Sequence, residues 1–151
     1  MIELKYYGMD SELAGETIRL VHEAGMGGKV SLMSLEISSI RQMQQLTSDI
    51  PVGYLSAVGL GRLTRLEVDF LAVSTREAKT ALLRKAGKKK MPVYVWTVND
   101  VDTMLDMLEL GVDGIITDQP ALAVDVIDRV AELLPAERLM LRFRNLWDPF
   151  M

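Results

Sequence analysis

From Val93 the chain reads Val-Tyr-Val-Trp-Thr-Val-Asn-Asp, continues through a stretch of helical period, and closes with Gly-Val-Asp-Gly-Ile-Ile-Thr-Asp-Gln-Pro at Pro120. An apolar run, an amphipathic helix and a second apolar run form a βαβ unit, which commits both strands to a parallel sheet. Polar residues follow each run, at the end of the strand where parallel α/β proteins keep their chemistry.

The same alternation runs through the rest of the chain, and six strands are expected in all. The first is Ile2 to Tyr6, followed by a helix from Asp10 or Ser11 to Ala24 with Leu13, Ile18, Val21 and Ala24 as its buried stripe and Gly25 as its stop. Val30 to Met33 leads to a helix over Ile37 to Leu46 that presents Ile37, Ile40, Met43 and Leu46. Val52 to Leu55 follows Pro51, and the next crossover, Ala57 to Glu67, is short and holds Gly59 and Gly61. Val68 to Val73 precedes a helix capped by Ser74 that runs to Gly87. Val93 to Val98 leads to a helix capped by Asn99 or Asp100 and stopped by Gly111; Gly114 to Thr117 leads to a helix from Ala121 to Leu134 with Pro120 at its first turn. The tail from Ala136 to Met151 is expected to add a helix whose apolar tip around Trp147 is covered.

Successive right-handed crossovers wrap helices around a sheet that curls as a barrel. An eight-stranded (β/α) barrel takes about 250 residues. The fold expected of these 151 residues is therefore an α/β, partial TIM-type (β/α) barrel of six mainly parallel strands, lacking the first two barrel strands.

Composition narrows the function. A net charge of −4 argues against a general nucleic-acid binder, which needs a basic face for phosphates. The absence of cysteine excludes a disulfide scaffold, a thiolate nucleophile and a Cys-ligated metal. No apolar run approaches the roughly 20 residues of a membrane span. The piece accordingly reads as soluble, cytoplasmic or attached to a membrane through an upstream region. Walker, Gly-x-Gly-x-x-Gly and His-Glu-x-x-His motifs are absent, and the sole histidine, His22, falls within a helix and reads as a surface or boundary residue. Ser34 at a strand end is a candidate substrate contact without the surroundings of a serine triad. Met104 and Met107, at helical spacing, read as core.

Glu3 and Lys5 lie two apart on one strand and share a face. At a barrel mouth such a carboxylate can bind a divalent cation and such an ammonium a phosphate. Trp96 lies on one face near the carboxyl end of its strand, where an indole serves equally as core or as the wall of a ligand pocket. For Asn99, Asp100 and Asp118 helix capping is the expected role, with Gly114 reserved for close packing.

Ile2-Glu3-Leu4-Lys5, Ser31-Leu32-Met33-Ser34, Val52-Gly53-Tyr54-Leu55, Trp96-Thr97-Val98-Asn99 and Gly111-Val112-Asp113-Gly114-Ile115-Ile116-Thr117-Asp118 occur in an order that resembles the glycerophosphodiester phosphodiesterases over nearly the whole chain. Glu3 to Gly8 and Ala136 to Leu139 look most like a bacterial branch whose catalytic domain follows a membrane-spanning region. The resemblance implies a TIM-type barrel that binds a divalent cation, Mg²⁺ or Ca²⁺, and hydrolyses glycerophosphodiesters to an alcohol and glycerol 3-phosphate. It also implies that Glu3 is a metal carboxylate, Lys5 a phosphate-facing lysine and Trp96 a pocket residue. The family's His-Arg-Gly strand, its Glu-x-Asp carboxylates and its second histidine precede the Glu-x-Lys strand and have no counterpart here. The expectation is a carboxyl-terminal portion of such an enzyme, inactive alone, with no tightly held metal. Two other readings stay open: a non-catalytic α/β module that self-associates through its sheet edges, and a small phosphate-binding barrel relative. An incomplete barrel is also expected to leave apolar sheet surface exposed, which favours a homo-oligomer.

Overall fold

Each apolar run becomes a strand, and each intervening amphipathic segment, with one exception, becomes a helix on the same side of the sheet. The structure is a computed structural model and describes residues 1–6, 12–57 and 63–133. The strands are β1 (Ile2–Glu3), β2 (Leu32–Ser34), β3 (Val52–Ser56), β4 (Phe70–Ser74), β5 (Val93–Trp96) and β6 (Gly114–Ile115). The helices are α1 (Leu13–Glu23), α2 (Ile37–Leu46), α3 (Thr80–Gly87), α4 (Val101–Leu110) and α5 (Pro120–Glu132). The sheet order is sequential, β1 to β6, and every pair is parallel, the arrangement of a half-barrel with its helices outside.

The exception is the crossover from β3 to β4, whose described residues form a 3-10 turn over Leu63–Arg65 and no α-helix. The other boundaries shift by a few residues. α3 begins at Thr80 rather than just after Ser74, because Ser74 remains in β4 and a turn follows in which the Ser74 carbonyl accepts from Glu77 N–H and Ala78 N–H. Asp100 caps α4 by accepting from Thr103 N–H at 2.8 Å, and that bond holds its carboxyl below the usual carboxylate range. Gly111, at φ 81°, then ends α4 in the left-handed conformation. In α1 the buried stripe is Ala14, Ile18 and Val21, one position away from the expected Leu13, and Ala24 is exposed. In α2 the middle of the expected stripe, Ile40 and Met43, is buried, whereas Ile37 and Leu46 at its ends stay exposed. The expected tail helix lies outside the described residues.

Two cores result. Between sheet and helices, Leu32, Val52, Leu71, Val73, Val93 and Val95 pack against Ile18, Ile40, Met43 and Met104. On the inner face Met33, Leu55, Phe70 and Ala72 are buried, with Tyr94, Trp96 and Ile116 partly buried against them. This corrects the expectation of an exposed apolar sheet. Among the described residues the exposed large apolar side chains are Met1 and helix or loop residues such as Leu20, Val124 and Ile127.

The inner face closes because aromatic rings fill it. Phe70 and Tyr94 meet edge to face with ring centroids 5.4 Å apart. A Cβ on Gly53 would lie 2.2 Å from the Phe70 ring and one on Gly114 2.7 Å from the Tyr94 ring, so each ring lies over a glycine of the neighbouring strand.

At the strand entries two aspartates repeat one device. Asp69, just before β4, donates its backbone N–H to the Val52 carbonyl at 2.9 Å, while its carboxylate accepts from Val52 N–H at 2.7 Å. Asp113 forms the same pair with Val93 ahead of β6, at 2.9 and 2.8 Å.

One residue sits in a conformation that its side chain opposes. Lys90 has φ 54° just past α3, where its N–H donates to the Gly87 carbonyl, and it is exposed. Replacing it with glycine removes the left-handed Cβ penalty and loses no buried contact. Lys90→Gly is expected to stabilise the chain by about 0.5–1 kcal/mol, net of the added freedom of the unfolded chain. Chemical denaturation reads this as a raised midpoint at unchanged slope.

Candidate active site

The carboxyl ends of the strands gather the polar residues. Glu3 pairs in register with Met33, Met33 with Gly53, and Gly53 with Phe70; Ala72 pairs with Tyr94 and Ser74 with Trp96. Alternation along each strand therefore puts Glu3, Met33, Ser74 and Trp96 on the inner face. Lys5, two residues beyond Glu3, returns to the same side, and its ammonium lies 3.4 Å from the Glu3 carboxylate. The lysine side chain is 56% exposed and that of Glu3 25%, so the pair sits at the rim of the mouth.

Trp96 is the last residue of β5, partly buried against the inner-face cluster. Its indole N–H is buried and has no hydrogen-bond partner among the described residues. A buried donor left without an acceptor costs about 1–3 kcal/mol, a cost that an ordered water or a ligand oxygen relieves.

Three side-chain devices fasten the strand exits in pairs. At β1 and β2, Ser34 donates to the Leu4 carbonyl at 2.9 Å and accepts from Glu36 N–H at 3.2 Å. Ser34 lies on the helix-facing side in register with Tyr54 and is buried, which removes it as a substrate contact. At β3 and β4, one Glu77 oxygen accepts from the Ser56 hydroxyl at 2.9 Å and the other faces the Ser74 N–H and hydroxyl at 3.4 Å. Burial, followed by the charges of Glu77 and Glu36, pushes the Tyr54 hydroxyl pKa up. At β5 and β6, Asn99 accepts from the Thr117 hydroxyl at 3.0 Å and from Asp118 N–H at 2.9 Å, and it donates to the Asp118 carboxylate at 2.9 Å. Asn99 and Asp118 are therefore bridge residues and not helix caps. α5 starts on Pro120 behind Gln119 without a side-chain cap. Sequence reading missed Glu77, because Ser56, its closer hydroxyl partner, is a neighbour only across the sheet.

His22 is remote from the mouth. It lies at the end of α1, half-exposed, with Nε2 3.1 Å from an Asp49 oxygen. Asp49 shortly precedes β3, so this pair belongs to the strand-entry end. The Thr47 hydroxyl, more than His22, keeps the Asp49 carboxyl below its usual range.

A divalent ion requires more than the mouth supplies. Mg²⁺ is held by about six oxygens and Ca²⁺ by about six to eight. Among the described residues no group of three or more His, Cys, Asp or Glu side chains converges, and Glu3 is already paired with Lys5. These residues do not fit a resident metal on their own. The arrangement can offer an ammonium and an indole N–H to an anion on a partly apolar floor.

Among the described residues no helix is long and apolar enough to cross a membrane. Similar curated proteins include glycerophosphodiester phosphodiesterases and, over shorter stretches, dermonecrotic toxins, one of them from Loxosceles amazonica, 38% identical over 61 residues, 40% of this chain and 20% of that protein. The model of the glycerophosphoryl diester phosphodiesterase family matches residues 2–122. A glycerophosphodiester phosphodiesterase of Caldanaerobacter subterraneus subsp. tengcongensis is 25% identical over 126 residues, which is 81% of this chain and 50% of that protein. Among solved structures, a glycerophosphodiester phosphodiesterase from Parabacteroides distasonis superposes with a TM-score of 0.75 at 21% identity, over 86% of this chain and 57% of the other. An Oleispira antarctica phosphodiesterase, solved with the product sn-glycerol-3-phosphate, gives 0.70 at 21% identity, over 83% and 53%. The chain spans about half the length of the curated relatives it matches. With the family model matching residues 2–122, most of its length, the chain belongs to the glycerophosphoryl diester phosphodiesterase family.

Proposed function

We propose that this chain forms the carboxyl-terminal side of a glycerophosphodiester-binding mouth. It binds the phosphate and polyol part of the ligand and does not hydrolyse the ester by itself. The observation that carries this reading is the shared inner face of Lys5 and Trp96, one bringing a cation and the other a buried, unpaired indole donor. Lys5 would exchange Glu3 for a phosphate oxygen, and Trp96 would form the wall against which the glycerol backbone lies while its N–H meets a ligand oxygen. The product seen in the Oleispira antarctica structure, sn-glycerol-3-phosphate, has this chemistry.

Catalysis requires proton transfer, and the only histidine is His22, held by Asp49 at the other end of the sheet. Glu3 would be one carboxylate of a divalent-cation shell, Mg²⁺ or Ca²⁺, whose remaining ligands come from groups other than these residues. Metal-dependent hydrolysis of a glycerophosphodiester to an alcohol and glycerol 3-phosphate is thus proposed for a whole enzyme of which this chain is a part.

The test uses Trp96 emission in a Trp147→Phe background, which leaves a single indole. Titration with sn-glycerol 3-phosphate is expected to change that emission saturably, and Lys5→Ala to weaken binding about tenfold or more. No saturable change, or a change indifferent to Lys5, contradicts the proposed mouth. Turnover of glycerophosphocholine with added Mg²⁺ or Ca²⁺, abolished by Glu3→Ala, contradicts the claim that the chain alone is inactive.

Self-association belongs to the same proposal. Among the described residues β1 and β6 each carry one unpaired edge, and the outermost helices beside them expose apolar side chains, Leu20 on α1 and Val124 and Ile127 on α5. Both edge strands are only two residues long, so the helix faces supply most of the surface that a second copy would cover. Light scattering at micromolar concentration is expected to give more than the monomer mass, reduced by Val124→Lys with Ile127→Lys. A monomer throughout the range overturns this.

A further inference from the structure

Three hydrogen bonds on one amide stand beside the residue that the binding reading depends on. Trp96 ends β5, and the chain then leaves the sheet through Thr97, Val98 and Asn99. Past the strand, Val98 N–H still reaches β6's continuation, donating to the Ile116 carbonyl at 3.1 Å. One residue later Asn99 uses both ends of its amide. Its oxygen accepts from the Thr117 hydroxyl at 3.0 Å and Asp118 N–H at 2.9 Å, and its nitrogen donates to the Asp118 carboxylate at 2.9 Å. Thr117 is fixed in turn, since its hydroxyl accepts from Gln119 N–H at 2.9 Å, just ahead of α5.

We propose that Asn99 is a positioning residue for the Trp96 wall of the mouth, holding the exit of β5 against the exit of β6. The argument is one of constraint. β6 is an edge strand of two residues and offers little ladder to β5. The exit that carries Trp96 would otherwise be tied to its neighbour beyond the ladder by the Val98 bond. The Trp96 side chain is only partly buried against the inner-face cluster, so the hold on its ring depends also on how the strand exit that carries it is fixed. Asn99 fixes that exit through groups that do not touch the ring. The complement is specific: an amide accepts two hydrogen bonds and donates one to a carboxylate, and aspartate at the same position would set two carboxylates against each other.

The inference rests on the reading of Trp96 as a ligand wall, but its test needs no ligand. In the Trp147→Phe chain, acrylamide quenching of Trp96 and its emission anisotropy report the freedom and exposure of that one ring. Asn99→Ala and Asn99→Asp are each expected to raise quenching severalfold and lower anisotropy at pH 7 while circular dichroism keeps its helix signal. The double exchange Asn99→Asp with Asp118→Asn restores donor to acceptor in reversed order and is expected to return both readouts to parental values. Parental quenching in Asn99→Ala overturns the proposal, as does failure of the exchange to restore it. Should Asn99→Ala unfold, the exchange variant decides alone, and it must fold with parental Trp96 signals. The glycerol 3-phosphate titration fails or succeeds separately: a silent titration with an intact Asn99 effect leaves the clamp standing and removes the ligand.

Discussion

The close approach of two aromatic rings to two glycines decides which side of this sheet is the inside. Phe70 and Tyr94 stand on adjacent strands with centroids 5.4 Å apart, and each lies over a glycine on its outer neighbour, Gly53 or Gly114. Four consecutive strands, β3 to β6, thereby share one layer in the order glycine, ring, ring, glycine. Side chains alternate along a strand, so fixing this layer fixes the direction of everything above it. Trp96 follows Tyr94 two residues on, while Glu3 and Lys5 are carried to the same side through Met33. A one-residue slip of β1 would turn Glu3 and Lys5 among the helices, a cost far above that of a lost methylene.

Polar bonds then hold strands in pairs at both ends. Asp69 and Asp113 bind the entries of β3 with β4 and of β5 with β6, each through a reciprocal exchange with a valine. Ser34, Glu77 and Asn99 bind the three pairs of exits. A sheet with two-residue strands at both edges has few ladder bonds there, and side chains replace them. The mouth is the set of exits, so the same bonds that hold the sheet together also set the spacing of Glu3, Lys5 and Trp96 around the proposed site. Membership of the glycerophosphoryl diester phosphodiesterase family gives that mouth its chemical context.

Strand order, helix order and the shared face of Glu3, Lys5 and Trp96 were legible in the sequence because they follow from period and alternation, which are local. The ends of elements were less so. Ser74 has the composition of a helix cap, but it stays in β4 in register with Trp96, a partner that no local window contains. Ser34 sits at a strand end like a substrate contact, yet its register with Tyr54 turns it toward the helices. Asn99 and Asp118 also have the composition of caps, and their bond spans two loops that no short window connects. Gly114 lies in a Gly-Val-Asp-Gly turn that marks it as a close-packing position, whereas Gly53 lies inside an apolar run with no local sign of the Phe70 ring above it. The inner face was expected to expose aliphatic surface; its rings close it instead.

The central claim is that this glycine and ring layer orders the inner face, and a double-mutant cycle on Gly53 and Phe70 tests it most directly. Gly53→Ala places a methyl group 2.2 Å from the Phe70 ring, so alone it should destabilise by about 1–3 kcal/mol or more. Gly28→Ala, with open space at the new Cβ, should change stability by less than about 1 kcal/mol. In a Phe70→Leu background the cost of Gly53→Ala should fall, giving a coupling of at least about 1 kcal/mol by urea denaturation. Additivity within about 0.5 kcal/mol would mean that the two residues do not share this contact, and the account of the inner face would be wrong.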